Sequence, residues 1–314
     1  MENLNKFVSS RGLLRSCTLH SEEPQSSSPL LHHLPTFNPA SNFSVYVCTD
    51  ALEKFAVEYF PRFSSGFTLV SGDSDLAVDE RLLQSPFIEG MVSDCRLTSW
   101  FAQNLALSNE KLFPIPIGLD YHTAWERPGH WSIGKISPLA QELILEDIAR
   151  QSRSIEERFG LAYCNWHFSI KHGDRRHLFE IVDKRICFFE QNRLPRRASW
   201  QRQAEFMFTL SPEGIGFDCH RTWETLVLGG IPIVKRTPIS NLFEDLPVLI
   251  VEDWGDVKKT LMEDFINTAL KKKFNFSKLF LLYWQQKIHH SNQRPPLDFM
   301  HIKTFRELLW SNRY

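Results

Sequence analysis

Short apolar runs alternate along the chain with amphipathic or polar stretches. FSVYVC (43–48) and GFTLVSG (66–72) are rich in β-branched and aromatic residues and read as strands, with the helix-like DALEKFAVEYFPRF between them. WFAQNLAL (100–107) is expected to be helical, and KLFPIPIG (111–118) to be a strand whose prolines mark an end or an edge. After a Pro/Gly/Trp-rich passage (121–138), residues 139–159 carry apolar positions three and four apart and predict a helix. Five further apolar runs follow: LAYCNWHF (161–168), KRICFFE (184–190), EFMFTLS (205–211), GIPIVK (230–235) and LPVLIVED (246–253). Strands alternating with helical segments predict parallel sheets. Two such sets predict an α/β protein with two Rossmann-like domains facing a cleft, over residues 43–135 and 136–290. Residues 1–42, rich in Ser, Pro, Asn and His, read as an irregular arm, and 291–314 as a C-terminal helix packing across the domains.

The densest chemistry lies in SPEGIGFDCHRTWETLVLGGIPIV (211–234). Gly214 and Gly216 permit close backbone approach, Asp218 is the expected N-cap of a helix of roughly ten residues, and Gly229 and Gly230 end it. A strand, a glycine loop and a helix N-terminus make an anion site, with Ser211, Gly214, Gly216 and His220 around it. Arg221 can clamp a phosphate bidentately, and Glu224, three residues on, can accept from ribose hydroxyls. The stretch lacks both GK[ST] and a full GxGxxG, so these residues alone indicate a phosphate or nucleotide. A tight turn followed by an Arg–Glu surface pair would use the same letters.

This stretch resembles the nucleotide-sugar domain of exostosin-like glycosyltransferases, similar to glycosyltransferase family 47. The shared marks are an apolar strand, a Pro-x-Gly loop, an Arg-x-x-Glu helix and Gly-x-x-Pro-Ile. SGDSD, WFAQN and KLFPIPIGL extend the likeness, more loosely, to the first half. The resemblance implies a GT-B-like architecture and transfer of a sugar from a nucleotide-sugar, UDP-sugars being favoured, to a glycan hydroxyl. It implies donor diphosphate on Arg221, ribose on Glu224 and donor sugar near Glu213, with Arg175 or Arg176 as a second phosphate contact downstream of Asn165. Retaining enzymes of this type often place two Glu eight residues apart; here the position eight after Glu213 is Arg221, so inversion is expected.

An inverting transfer needs a general base, and Asp73 or Asp75, after the second strand, is the expected one. As an Asp-x-Asp the pair also matches a Mn²⁺ or Mg²⁺ site, but cationic side chains and a helix N-terminus can stabilise the leaving diphosphate without metal. Trp125 and Trp131 are sugar-stacking candidates, and Asp253 and Trp254 could reach a nucleotide base. A GDP-sugar enzyme, a non-catalytic nucleotide or sugar binder and a phosphometabolite binder are the competing readings.

Composition narrows the partners. The 314 residues are 42% hydrophobic and 23% charged, with a net charge of −1, which argues against generic nucleic-acid binding. Charge is local, since residues 171–202 hold nine Lys/Arg against four Asp/Glu. Six cysteines without a CxxC pair fit a reducing compartment, and no apolar run is long enough for a membrane span, so a cytoplasmic protein is expected.

Overall fold

The computed structural model describes residues 2–22, 24, 43–129, 134–166 and 173–289, and the backbone of 302–303. It is a mixed α/β structure with two parallel sheets. Where an irregular arm was expected, helix α1 (Ser10–Ser16) forms; the Ser9 side chain caps it by accepting from the Gly12 N–H, and Leu13 and Leu14 are fully buried. Leu19 then pairs in parallel with Val45 at the sheet edge. Seven residues make too short a helix to show periodicity in sequence; tertiary packing holds it in place.

The first sheet comprises β1 (Phe43–Cys48), β2 (Phe67–Gly72), β3 (Leu97–Ala102) and β4 (Leu112–Pro114), in that spatial order. Between them run α2 (Leu52–Glu58), α3 (Glu80–Leu83) and α4 (Pro86–Ser93). WFAQNLAL therefore begins inside a strand and not in a helix. β3 is flanked by β2 and β4 and buried at every position but Thr98, and such a strand reads as a continuous apolar run that periodicity cannot assign. Trp100 is fully buried and donates through Nε1 to Ser71 Oγ at 2.9 Å.

α5 (His122–Glu126) and α6 (Pro138–Gln151) lead to the second sheet. α6 stops earlier than its pattern suggested, because Ser154 and Glu157 form a capping box that starts a separate short turn. β5 (Phe159–Cys164), β6 (Cys187–Phe189), β7 (Phe206–Leu210), β8 (Ile231–Lys235) and β9 (Leu249–Val251) lie in the spatial order β6-β5-β7-β8-β9. Interleaved are α7 (Arg175–Ile181), α8 (Arg196–Gln203) and α9 (His220–Val227). Numbered within the sheet the order is 2-1-3-4-5, a doubly wound arrangement whose direction reverses between β5 and β7. The first sheet has no such reversal among its described strands.

α10 (Lys259–Ala269) follows, then the short strand β10 (Phe274–Asn275), and α11 (Leu281–Ile288) packs back on α1. α11 precedes the stretch 291–314, where a C-terminal helix was expected. Within that stretch the described residues are a strand, β11 (Ile302–Lys303), antiparallel to β10; the rest lies outside the described residues.

Side-chain bonds join the two halves where β3, β4 and α9 meet. Asn104 Oδ1 accepts from the Phe217 N–H at 2.9 Å and the Asp218 N–H at 3.3 Å, while its Nδ2 donates to the Ser74 carbonyl at 3.2 Å. Asn104 has φ 52°, a left-handed conformation that Asn tolerates well. Gly216 lies against it, and a Cβ there would sit 2.7 Å from Asn104 Nδ2. Asp218 is not the expected N-cap, a position held by Cys219. Instead Asp218 Oδ2 accepts from the Ile117 N–H at 2.8 Å, and both its oxygens accept from Trp223 Nε1 at 2.9 Å. Replacing Asn104 with Ala removes the acceptor of one buried and one part-buried amide, so Asn104→Ala should lower unfolding free energy by about 2 kcal/mol. Urea titration measures this; a loss under roughly 0.5 kcal/mol would be that of an ordinary surface site.

Candidate functional site

Doubly wound sheets bind ligands outside the carboxyl ends of their strands, at the point of reversal. A cavity of about 780 Å³ lies at that place, walled by residues that follow β5, β6 and β7. Asn165 and Trp166 come from the end of β5, Glu190–Leu194 from the end of β6, and Cys219, His220, Arg221 and Glu224 from α9 beyond β7. Arg175 enters from the start of α7, and Arg196, Ser199 and Trp200 from α8. The first half contributes Asp120, past β4.

Three arginines in the wall have different surroundings. Arg196 is buried and committed: its Nη2 donates to the Asp120 carbonyl at 2.7 Å and lies 2.9 Å from Glu224 Oε1, and its guanidinium sits over the Trp200 ring. Arg221 is half-buried and held by neutral groups, Nε donating to Asn165 Oδ1 at 2.7 Å and Nη1 to Cys219 Sγ at 3.5 Å. Arg175 is buried beside it; burial first, then the positive charge of Arg221, lowers its pKa. An anion between Arg175 and Arg221 would relieve that repulsion and meet the N-terminus of α9. Nη2 of Arg175 would lie 3.7 Å from a Cβ on Gly214, so the glycine loop borders the same place.

Asp120 is buried. Burial alone would raise its pKa, but His122, His220 and Arg196, with the Thr123 amide, outweigh it and hold the carboxyl below the ordinary value. Nδ1 of His220 lies 2.7 Å from the Gly118 carbonyl. Glu190 accepts from Tyr163 Oη at 3.2 Å and faces Arg202 at 3.5 Å.

Of the residues singled out from sequence, Arg175, His220, Arg221 and Glu224 line the cavity. Glu224 does so as the partner of Arg196. Arg176 is exposed on α7 and outside the lining, and Ser211 is buried with its Oγ 2.8 Å from Thr222 Oγ1. Asp73 and Asp75 are not in the lining either. Asp73 accepts from Tyr46 Oη at 2.9 Å and sits 3.7 Å from Arg11 Nη1. Asp75 is exposed, and partial desolvation raises its pKa against the pull of His220. Trp254 is fully buried with Nε1 donating to Asp174 Oδ2, so it is not a free platform for a base; Trp125 is half-buried under Lys135 Nζ, and Trp131 lies outside the described residues. Sequence reasoning missed Asp120, which follows an irregular stretch, and Arg196. The four-residue spacing of Arg196 from Trp200 in RRASWQRQ was the one signal that could have found it.

Among the described residues no group of three or more His, Cys, Asp or Glu is arranged to hold a metal ion. No described helix is long and apolar enough to cross a membrane. No protein-family model matches the chain, and no curated protein matches it significantly.

Glu213 lies outside the cavity lining and faces Asp174 and Lys235. Burial, reinforced by Asp174 and partly offset by Lys235, pushes its pKa from the ordinary 4.5 up to about 7. The folded state therefore keeps this proton where the unfolded chain has lost it, and the group's contribution to stability falls as pH rises from 4.5 through 7. Glu213→Gln should remove that component and raise the melting temperature relative to wild type at pH 8 by about 2 °C, with little difference at pH 4.5. Parallel melting curves across this range would sink the assignment.

Proposed function

We propose that the chain is a glycosyltransferase that takes a sugar from a nucleotide-sugar, UDP-linked by preference, and transfers it with inversion to a glycan hydroxyl. In this reading the two sheet units form a GT-B-like pair, the second holding the donor and the first facing the acceptor. The single observation that carries it is the Arg175–Arg221 pair at the N-terminus of α9, on the switch point of a doubly wound sheet. Two mutually repelling guanidiniums beside a helix start fit a diphosphate, whose charge grows as the glycosidic bond breaks. The cavity, about 780 Å³, is large enough for a nucleotide and a sugar. Inversion by direct displacement requires no protein nucleophile. The resemblance of residues 211–234 to exostosin-like enzymes points to the same assignment, through the same Arg221.

A GDP-sugar is the second reading, and Glu190 favours it: a carboxylate in the wall could accept from the N1–H and N2–H edge of guanine.

The test is a thermal-shift panel of UDP, GDP, CDP and their sugars, with and without Mn²⁺. A rise confined to one nucleotide family is expected, and Arg221→Ala should weaken that nucleotide by about 1.5–3 kcal/mol, roughly 10- to 150-fold. An extra gain with Mn²⁺ would make Asp73 and Asp75 metal candidates again. A panel with no shift, or inorganic phosphate binding as well as any sugar nucleotide, would refute the reading.

A further inference from the structure

The expected bases, Asp73 and Asp75, stand outside the cavity, and so does Glu213. We propose that His220 is the general base of the transfer, taking the proton of the acceptor hydroxyl on its Nε2. The proposal rests on the glycosyltransferase reading and deepens it.

The tautomer follows from one contact. Nδ1 lies 2.7 Å from the Gly118 carbonyl, and a carbonyl oxygen only accepts, so Nδ1 carries the hydrogen of the neutral ring. The Nε2 lone pair is then left for a substrate. The carbonyl that sets this state is firmly held. Gly118 has φ 67°, a Cβ there would sit 2.2 Å from the Val8 carbonyl oxygen, and the Leu119 N–H donates to that oxygen at 2.8 Å. Only glycine fits, so the N-terminal segment that carries α1 fixes the orientation of the imidazole.

Position supports the role. His220 precedes Arg221 and lines the same cavity, but its ring is bonded to the first half of the molecule, where Arg221 is bonded to the second. A base belongs on the acceptor side of a diphosphate, and this ring is placed there. The charges facing it come from every side: Asp75 beyond β2, Asp120 beyond β4, and Asp218 just before α9. His122 on α5 has its ring centroid 6.4 Å away, and Arg196 lies beyond Asp120. The three carboxylates would stabilise the imidazolium as it forms.

The step balances. The acceptor O–H proton goes to Nε2, the freed oxygen pair forms a bond to the anomeric carbon, and the bond from that carbon to the diphosphate oxygen breaks. Its electron pair leaves with the diphosphate, met by Arg175 and Arg221. The imidazolium then loses its proton to solvent, and no further reactant is needed.

Two measurements test it. ¹⁵N NMR of the wild-type histidines should show neutral His220 as the Nδ1–H tautomer; the Nε2–H tautomer would overturn the proposal whatever the activity. Hydrolysis of UDP-glucose, or of whichever sugar nucleotide gives the largest thermal shift, in which water takes the place of the acceptor hydroxyl and the diphosphate is released, is then followed from pH 5 to 9. His220→Asn keeps a side-chain N–H for Gly118 but has no base. It should bind the nucleotide within threefold of wild type, release it about 10²- to 10⁴-fold more slowly and lose the acidic limb of the pH profile. Retention of the rate within tenfold, with the same limb, would overturn the base assignment and leave the donor site standing. Failure of the wild type to bind any nucleotide in the panel would overturn the parent reading and the base with it, as a loss of binding and not of rate.

Discussion

The buried carboxylate of Asp218 is the contact on which the site depends. Burial raises its pKa, while the Ile117 and Cys219 amides and the Trp223 indole, all of them donors to it, oppose that rise. One of these donors belongs to the first half of the molecule and two to the second. A polar group this deep is tolerable only when its lone pairs are filled, and here filling them requires both halves at once. The start of α9 is thereby pinned to the segment after β4, which sets the positions of Cys219, His220 and Arg221 together.

With that junction in place, electrostatics separates the arginines by task. Arg196 has anionic and carbonyl partners on both halves and serves as a cross-link. Arg221 has neutral partners, and Arg175 is raised in energy by its neighbour. The same residue type at the same cavity thus faces a carboxylate in one place and neutral or like-charged neighbours in the two others, with Asp174 partly offsetting the repulsion at Arg175.

Much of the α/β pattern was legible, because β1, β2 and β5 to β9 are apolar runs bounded by polar segments and such runs survive any reasonable reading. β3 was not, since a strand buried on both faces carries no alternation. α1 was not, since its stability comes from the residues packed over it. In the site, α9 announced itself through glycines, His220, Arg221 and Glu224 packed into one stretch. Asp73 and Asp75 had the right chemistry in sequence, but Tyr46 and Arg11 engage Asp73 from β1 and α1, segments remote in the chain. Asp120 carries no local signal at all; only the folding of the residues after β4 against α9 brings it to the cavity.

The bonds among Asn104, Ile117, Gly118 and the start of α9 are not the halves' sole attachment. Glu142 of α6 accepts from the Lys6 and Phe7 amides and from Tyr121 Oη, and so ties the second half to the N-terminal segment and to the residues after β4. Bonds at two different sets of residues brace the halves against each other. The spacing of the cavity walls is therefore set before any ligand arrives, and little of the binding free energy need go into arranging them.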